Sequence, residues 1–152
     1  MKADLLWSNA ATGKIDAGNL LHEALKQVKY EGDEETVLNK MKADGLLNDE
    51  EQIELQQKMR SVIYHADINS FFKRDYKVIT ERPLLKSNEK IRIPDRVVFK
   101  NGEAIVLDYK TGKQKTEHQK QLQDYANWLQ EAGVKVKEKI LFYTNTETVE
   151  RF

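Results

Sequence analysis

The feature that most restricts the fold of this chain is Asn101-Gly102, set between two apolar runs, Lys90–Lys100 (KIRIPDRVVFK) and Glu103–Tyr109 (EAIVLDY). Asn-Gly between strand-like runs is the strongest short-range signal for a β-hairpin closed by a two-residue turn, because these two residues tolerate the positive φ angles that such a turn requires. A turn of that length leaves no freedom of register: Lys100 pairs with Glu103, and counting outward brings Asp95 opposite Asp108. A loop longer or shorter by one residue would break that pairing. Directly opposed residues on one face have Cβ atoms about 4.5 to 5.5 Å apart. Lys110 follows two residues after Asp108, on the same face and roughly 6.5 to 7 Å along the strand. Two carboxylates and an amine converge at one end of the hairpin.

Val97, Phe99, Ala104 and Val106 share that face, while Val98, Ile105, Leu107 and Tyr109 occupy the other, so the hairpin is expected to be buried on both sides. Opposed carboxylates repel, and a divalent cation offsets the repulsion. Hard oxygen ligands suit Mg²⁺ or Mn²⁺. Such a cation lowers the pKa of a bound water and neutralises charge developing on a phosphodiester, and a neighbouring lysine can orient or help deprotonate that water. The chemistry indicated is phosphodiester hydrolysis. Taken alone, D…DxK also describes strand-end acids paired with Arg96, Lys110 or a backbone amide. The register and the proline before Asp95 favour the site. If repulsion dominates in the metal-free protein, Asp108→Asn should leave it as stable as its parent or slightly more so.

Ahead of the hairpin, from Asp16 to about Phe72, the apolar spacing is helical. A first helix carries Leu21, Leu25 and Val28, with Asp16 as its N-cap. A second spans Glu34 to Ala43 and stops at Asp44-Gly45, and a third runs from about Asp49 to Phe72. Strand spacing then begins, with Tyr76 to Thr80 closing near Pro83. After the hairpin come a helix from about Glu117 to Ala132, a strand near Lys139 to Tyr143 and another near Thr148 to Phe152. The order αααβββαββ predicts an α/β (α+β) domain with a central mixed sheet flanked by helices. At 152 residues one domain is expected, with a helical part over about 16–72 and a catalytic core over about 75–152.

The chain has no cysteine, which removes disulfides, thiolate zinc sites and iron–sulfur clusters, so a metal would be held by oxygen or imidazole. No segment approaches the roughly 18 apolar residues of a membrane span and no signal peptide opens the chain, so a cytoplasmic protein that does not engage membranes is expected. Its 25 basic and 25 acidic residues cancel, whereas a free-standing nucleic-acid binder usually has a pI above about 9. Delivery to the substrate by another protein would remove the need for a basic excess.

IPDRVVFKNGEAIVLDYKTG resembles the core of the PD-(D/E)xK nuclease superfamily, a restriction-endonuclease-like fold, with Asp95 as the first acid and Asp108-Tyr109-Lys110 as the DxK. DYKTG is similar to the nuclease domain of RecB- and AddA-type helicase-nucleases, which follows a UvrD-like motor in enzymes of the exonuclease V kind. The resemblance runs from about Gly18 to Tyr125. GNLLHEAL matches the GxxxH helix of that group, which implies that His22 is a metal ligand. Glu81, in ITERPLL, matches an acid that approaches the metal or holds the active-site arrangement. Gln121 and Tyr125, in QLQDY, match a QxxxY motif facing the active site and the DNA backbone, near Lys113. The resemblance further implies that the backbone carbonyl of Tyr109 joins Asp95 and Asp108 around Mg²⁺ or Mn²⁺. On the residues alone, His22 borders an apolar stripe as a core histidine does, Gln121 and Tyr125 suit ordinary helix packing, and Glu81 is a solvated charge.

The iron–sulfur branch of these nucleases is excluded by the lack of cysteine. No GxxxxGK[ST] occurs, so the motor lies outside this chain, upstream in the same polypeptide or on a separate subunit, and the chain is expected to be an excised C-terminal domain or a stand-alone relative. Three readings follow: a Mg²⁺-dependent deoxyribonuclease acting on single strands or duplex ends in repair and recombination, a nuclease-fold module that binds DNA or a partner without cutting, and a structural α/β domain. Intact Asp95, Asp108 and Lys110 argue against the second, and His22, Gln121 and Tyr125 in order around the hairpin argue against the third.

Overall fold

Helical spacing gives way to strand spacing near Lys73, and there the protein divides into two units, Met1–Lys73 and Arg74–Phe152. The structure, a computed structural model, describes residues 17–79 and 93–152. Asp16, Glu81, and the start of the run that opens at Lys90 lie outside the described residues. Among the described residues no helix is long and apolar enough to cross a membrane.

The first unit holds α1 (Ala17–Gln27), α2 (Glu34–Ala43) and α3 (Asp49–Ile63), followed by a 3₁₀ turn at Asn69–Phe72. Each helix buries one stripe: Leu20, Leu21, Ala24 and Leu25 on α1, Val37, Leu38 and Met41 on α2, and Leu55, Met59, Val62 and Ile63 on α3. A reciprocal capping box starts α3, with Glu51 N–H donating to Asn48 Oδ1 at 2.8 Å and Asn48 N–H to Glu51 Oε1 at 2.9 Å. Two of the four orphan donors at that end are thereby satisfied.

The third helix ends at Ile63 instead of reaching Phe72. Its stripe, continued, would turn Ala66 and Ser70 inward and leave Ile68 and Phe72 off the buried face. The chain breaks there. The Asn69 side-chain amide donates to the Ile63 carbonyl at 2.8 Å, and the resulting turn buries Ile68, Phe71 and Phe72.

The second unit is a five-stranded mixed sheet in the order β1-β2-β3-β4-β5 with one long helix. Its elements are β1 (Lys77–Val78), β2 (Arg96–Lys100), β3 (Glu103–Lys110), α4 (Thr116–Glu131), β4 (Lys135–Tyr143) and β5 (Thr148–Arg151). Asn101 and Gly102 take φ of 54° and 79°, the positive pair of a type I′ turn. The β2–β3 register runs from Lys100↔Glu103 to Arg96↔Leu107, as the turn dictates. β3 pairs with β4 in parallel, and α4 makes the crossover that a parallel pair needs. On one face Val97, Ala104, Val106, Leu141 and Tyr143 pack with Leu122, Tyr125 and Leu129 of α4. On the other, Val98, Ile105, Leu107 and Tyr109 are also buried.

β4 begins four residues before the predicted Lys139, and a register shift between Ala104 and Ile105 marks a bulge: Ala104 faces Val136, but Ile105 faces Glu138. The extra residue, Lys137, inverts which β4 residues look toward α4. Alternating charge in KVKEK had hidden this strand.

Gly102→Val should lower stability by about 1–2 kcal/mol, the cost of a side chain in the left-handed region. Nothing lies within 4 Å of a Cβ built there, so the cost is conformational and not steric. Urea unfolding should show a lower midpoint at unchanged slope. An unchanged midpoint would mean that the turn does not hold this geometry in solution.

Candidate active site

The β2–β3 ladder reaches Arg96↔Leu107, and at the next position side chains take over from it. Pro94 has no N–H to extend a ladder. Asp95 N–H donates to Asp108 Oδ1 at 2.8 Å, and Tyr109 N–H donates to Asp95 Oδ2 at 3.0 Å. Each acid therefore accepts a backbone donor from the opposite strand, a charge-assisted bond that fixes both carboxylates side by side.

Lys110 closes the group. Its Nζ lies 3.5 Å from Asp108 Oδ2 and 3.1 Å from Gln121 Oε1 on α4. Asp108 is 1% exposed and Lys110 9%, so this ion pair is shielded from water where most surface pairs are not. Behind it, on the other face, Tyr109 is fully buried. Burial pushes its hydroxyl well above the usual range, Asp95 and Asp108 push it further, and Arg96 opposes them.

Gln121 reaches the group because α4 runs across this face, held by further polar bonds to the strands: Gln119 to Glu150, His118 to Tyr143, and Lys139 to Gln123. Tyr125, one turn beyond Gln121, packs in the apolar cluster, and burial raises its hydroxyl pKa. Lys113 lies in the exposed segment after β3. His22 is partly buried on α1, in the first unit, and Glu81 lies outside the described residues. The structure thus gathers Asp95, Asp108, Lys110 and Gln121. Sequence reasoning missed His118 and Tyr143, which border this group. Tyr143 is the β4 partner of Lys110, a relation that depends on the bulge at Lys137.

The donors suit a hard divalent cation. Each carboxylate accepts a backbone N–H from the opposite strand, and an ionised carboxylate has about four lone-pair sites. Among the described residues no group of three or more His, Cys, Asp or Glu could hold an ion by itself. A cation here would be held by Asp95, Asp108 and main-chain oxygen, with water and substrate completing its shell, which is how Mg²⁺ is usually bound.

A model of the PD-(D/E)XK nuclease superfamily matches residues 3–150 of the chain. No curated protein matches it.

The ion pair between Asp108 and Lys110 opposes the stability expectation drawn from like-charge repulsion. In Asp108→Asn one oxygen can still serve Asp95 N–H, but the ammonium of Lys110 loses its counter-charge in a nearly dry position. The metal-free variant should be less stable by roughly 1–3 kcal/mol. Denaturant unfolding in chelator checks this, and a variant as stable as the parent would show that repulsion between the acids prevails.

Proposed function

The chain belongs to the PD-(D/E)XK nuclease superfamily, and from that premise we propose that it hydrolyses DNA phosphodiester bonds with Mg²⁺ or Mn²⁺. The observation that carries this is the locked pair Asp95–Asp108 with Lys110 on the same face. An acid pair held open by backbone donors, beside a restrained ammonium, is a costly arrangement for structure alone.

A bound divalent cation supplies Lewis acidity, lowering the pKa of water and neutralising charge on the phosphodiester. Asp95 and Asp108 would hold it, with the carbonyl of Tyr109. Lys110 keeps a fixed positive charge beside the two acids, where it can stabilise charge that develops on a phosphate oxygen or take part in moving a proton at Nζ. Gln121 fixes the direction of that amine. Exposed Lys113, Lys115 and Lys120 supply contacts to phosphates at the same edge of the sheet.

DYKTG and the spacing of Gln121 and Tyr125 support a finer reading. On it, the domain is an exonuclease module that receives single strands or ends from a UvrD-like motor during repair. Balanced charge, 25 basic against 25 acidic residues, fits a domain that is handed its substrate.

The purified chain should cleave labelled linear DNA in Mg²⁺ or Mn²⁺, stop in chelator, and lose roughly 10²-fold or more in Lys110→Ala. Cleavage indifferent to chelator would remove the metal mechanism, and full activity in Lys110→Ala would remove that residue. DNA binding without cleavage should be weak and fall steeply with salt. Tight, salt-insensitive binding would contradict the delivery reading.

A further inference from the structure

Lys110 is held at both ends. Its carbonyl accepts from Thr144 N–H at 2.8 Å and faces Thr144 Oγ1 at 3.3 Å, and its Nζ meets Gln121 at 3.1 Å. Where Gln121 sits depends on how α4 begins, and that start is unusual. Lys115, the N-cap, makes no side-chain capping bond. Its carbonyl accepts from His118 N–H at 3.1 Å, and on β4 the buried Tyr143 hydroxyl is raised in pKa by burial and by Glu150 and lowered by the Lys115 backbone.

The same hydroxyl lies 3.1 Å from His118 Nδ1. Tyr143 is 1% exposed and His118 9%. Tyr143 stands beside Lys110 in the β3–β4 register, and His118 is one helical turn before Gln121. One phenol therefore ties the N-terminus of α4 to the strand that flanks Lys110.

We propose that Tyr143 and His118 are positioning residues for Lys110, acting through the first turn of α4 and Gln121. Without the hydroxyl His118 loses this bond to β4, the first turn of α4 loosens, and Gln121 no longer restrains the amine. Lower on the same helix, the bond from Lys139 Nζ to Gln123 is independent of this device and serves as an internal reference.

The test compares the parent with Tyr143→Phe, His118→Ala and His118→Asn, the last keeping an amide that can either donate to or accept from the phenol. Competitive acetylation with trace acetic anhydride, read by mass spectrometry, reports the accessibility of each lysine without requiring activity. Lys110 should be labelled severalfold faster in Tyr143→Phe and His118→Ala, with Lys139 unchanged and His118→Asn close to the parent. Unchanged labelling of Lys110, or an equal rise at Lys110 and Lys139, would overturn the proposal in favour of a packing role.

The kinetic arm rests on the nuclease reading: kcat on linear DNA should fall roughly tenfold in Tyr143→Phe, because small misplacements of catalytic groups are expensive. KM should stay within about twofold. Loss in KM alone would count against positioning. A parent that cleaves nothing would defeat the nuclease reading while the labelling still decides this one.

Discussion

A two-residue turn in which Asn101 and Gly102 both carry positive φ permits one strand register, and the chemistry of the second unit depends on that register. It brings Asp95 to the position after the last ladder pair, opposite Asp108. There the two carboxylates replace ladder carbonyls as acceptors for Asp95 N–H and Tyr109 N–H. The hairpin therefore ends in acids without leaving these backbone donors unmet in a buried place, which would cost about 1–3 kcal/mol each. Structure and site draw on the same hydrogen bonds.

The second constraint is the bulge in β4. With an unbroken register Phe142 would stand beside Lys110 and look toward α4, and Tyr143 would turn to the opposite face. The extra residue at Lys137 exchanges them, so that a hydroxyl, and not a phenyl ring, meets His118 in the first turn of α4. Bulges are common beside functional sites because they re-aim side chains. Here the re-aimed side chain is six residues beyond the bulged residue, Lys137. The parallel pairing carries the change of parity along the strand.

Much of this was legible in the sequence because it rests on local rules. The hairpin follows from Asn101-Gly102, the second helix from its stop at Asp44-Gly45, and the convergence of Asp95, Asp108 and Lys110 from counting along paired strands. What was not legible depends on contacts distant in sequence. Apolar residues continue to Phe72 and predict a third helix to that point, yet burial of Phe71 and Phe72 and the bond from Asn69 to Ile63 outweigh helical continuity. The spacing predicts too short a β4 because Lys135, Lys137 and Lys139 conceal a strand whose apolar residues are split by the bulge. Tyr143 and His118 escaped notice for the same reason: their meeting requires β4 in register. The repulsion expected of the acid pair is a Cβ-level inference, and the Lys110 ammonium that opposes it appears only with the side chains placed.

Formal charge at the site links cation and substrate. Asp95, Asp108 and Lys110 together carry one net negative charge, which repels a phosphodiester. A divalent cation held there reverses the sign. In a nearly dry setting that change matters more than it would at an exposed surface, because the effective dielectric constant is low. Exposure rises from Asp108 at 1% to Lys110 at 9%, and every residue of 111–117 is exposed, so on the proposed function substrate would approach from the carboxyl end of β3, the end at which ligands bind in open α/β sheets. On the reading proposed above, cation and DNA each favour the binding of the other, since linkage between two sites is reciprocal. A chain without net charge then needs no broad basic surface to bring a phosphate to these acids. On that reading a bound cation would supply the attraction locally, making the site both attractive to the substrate and competent to act on it.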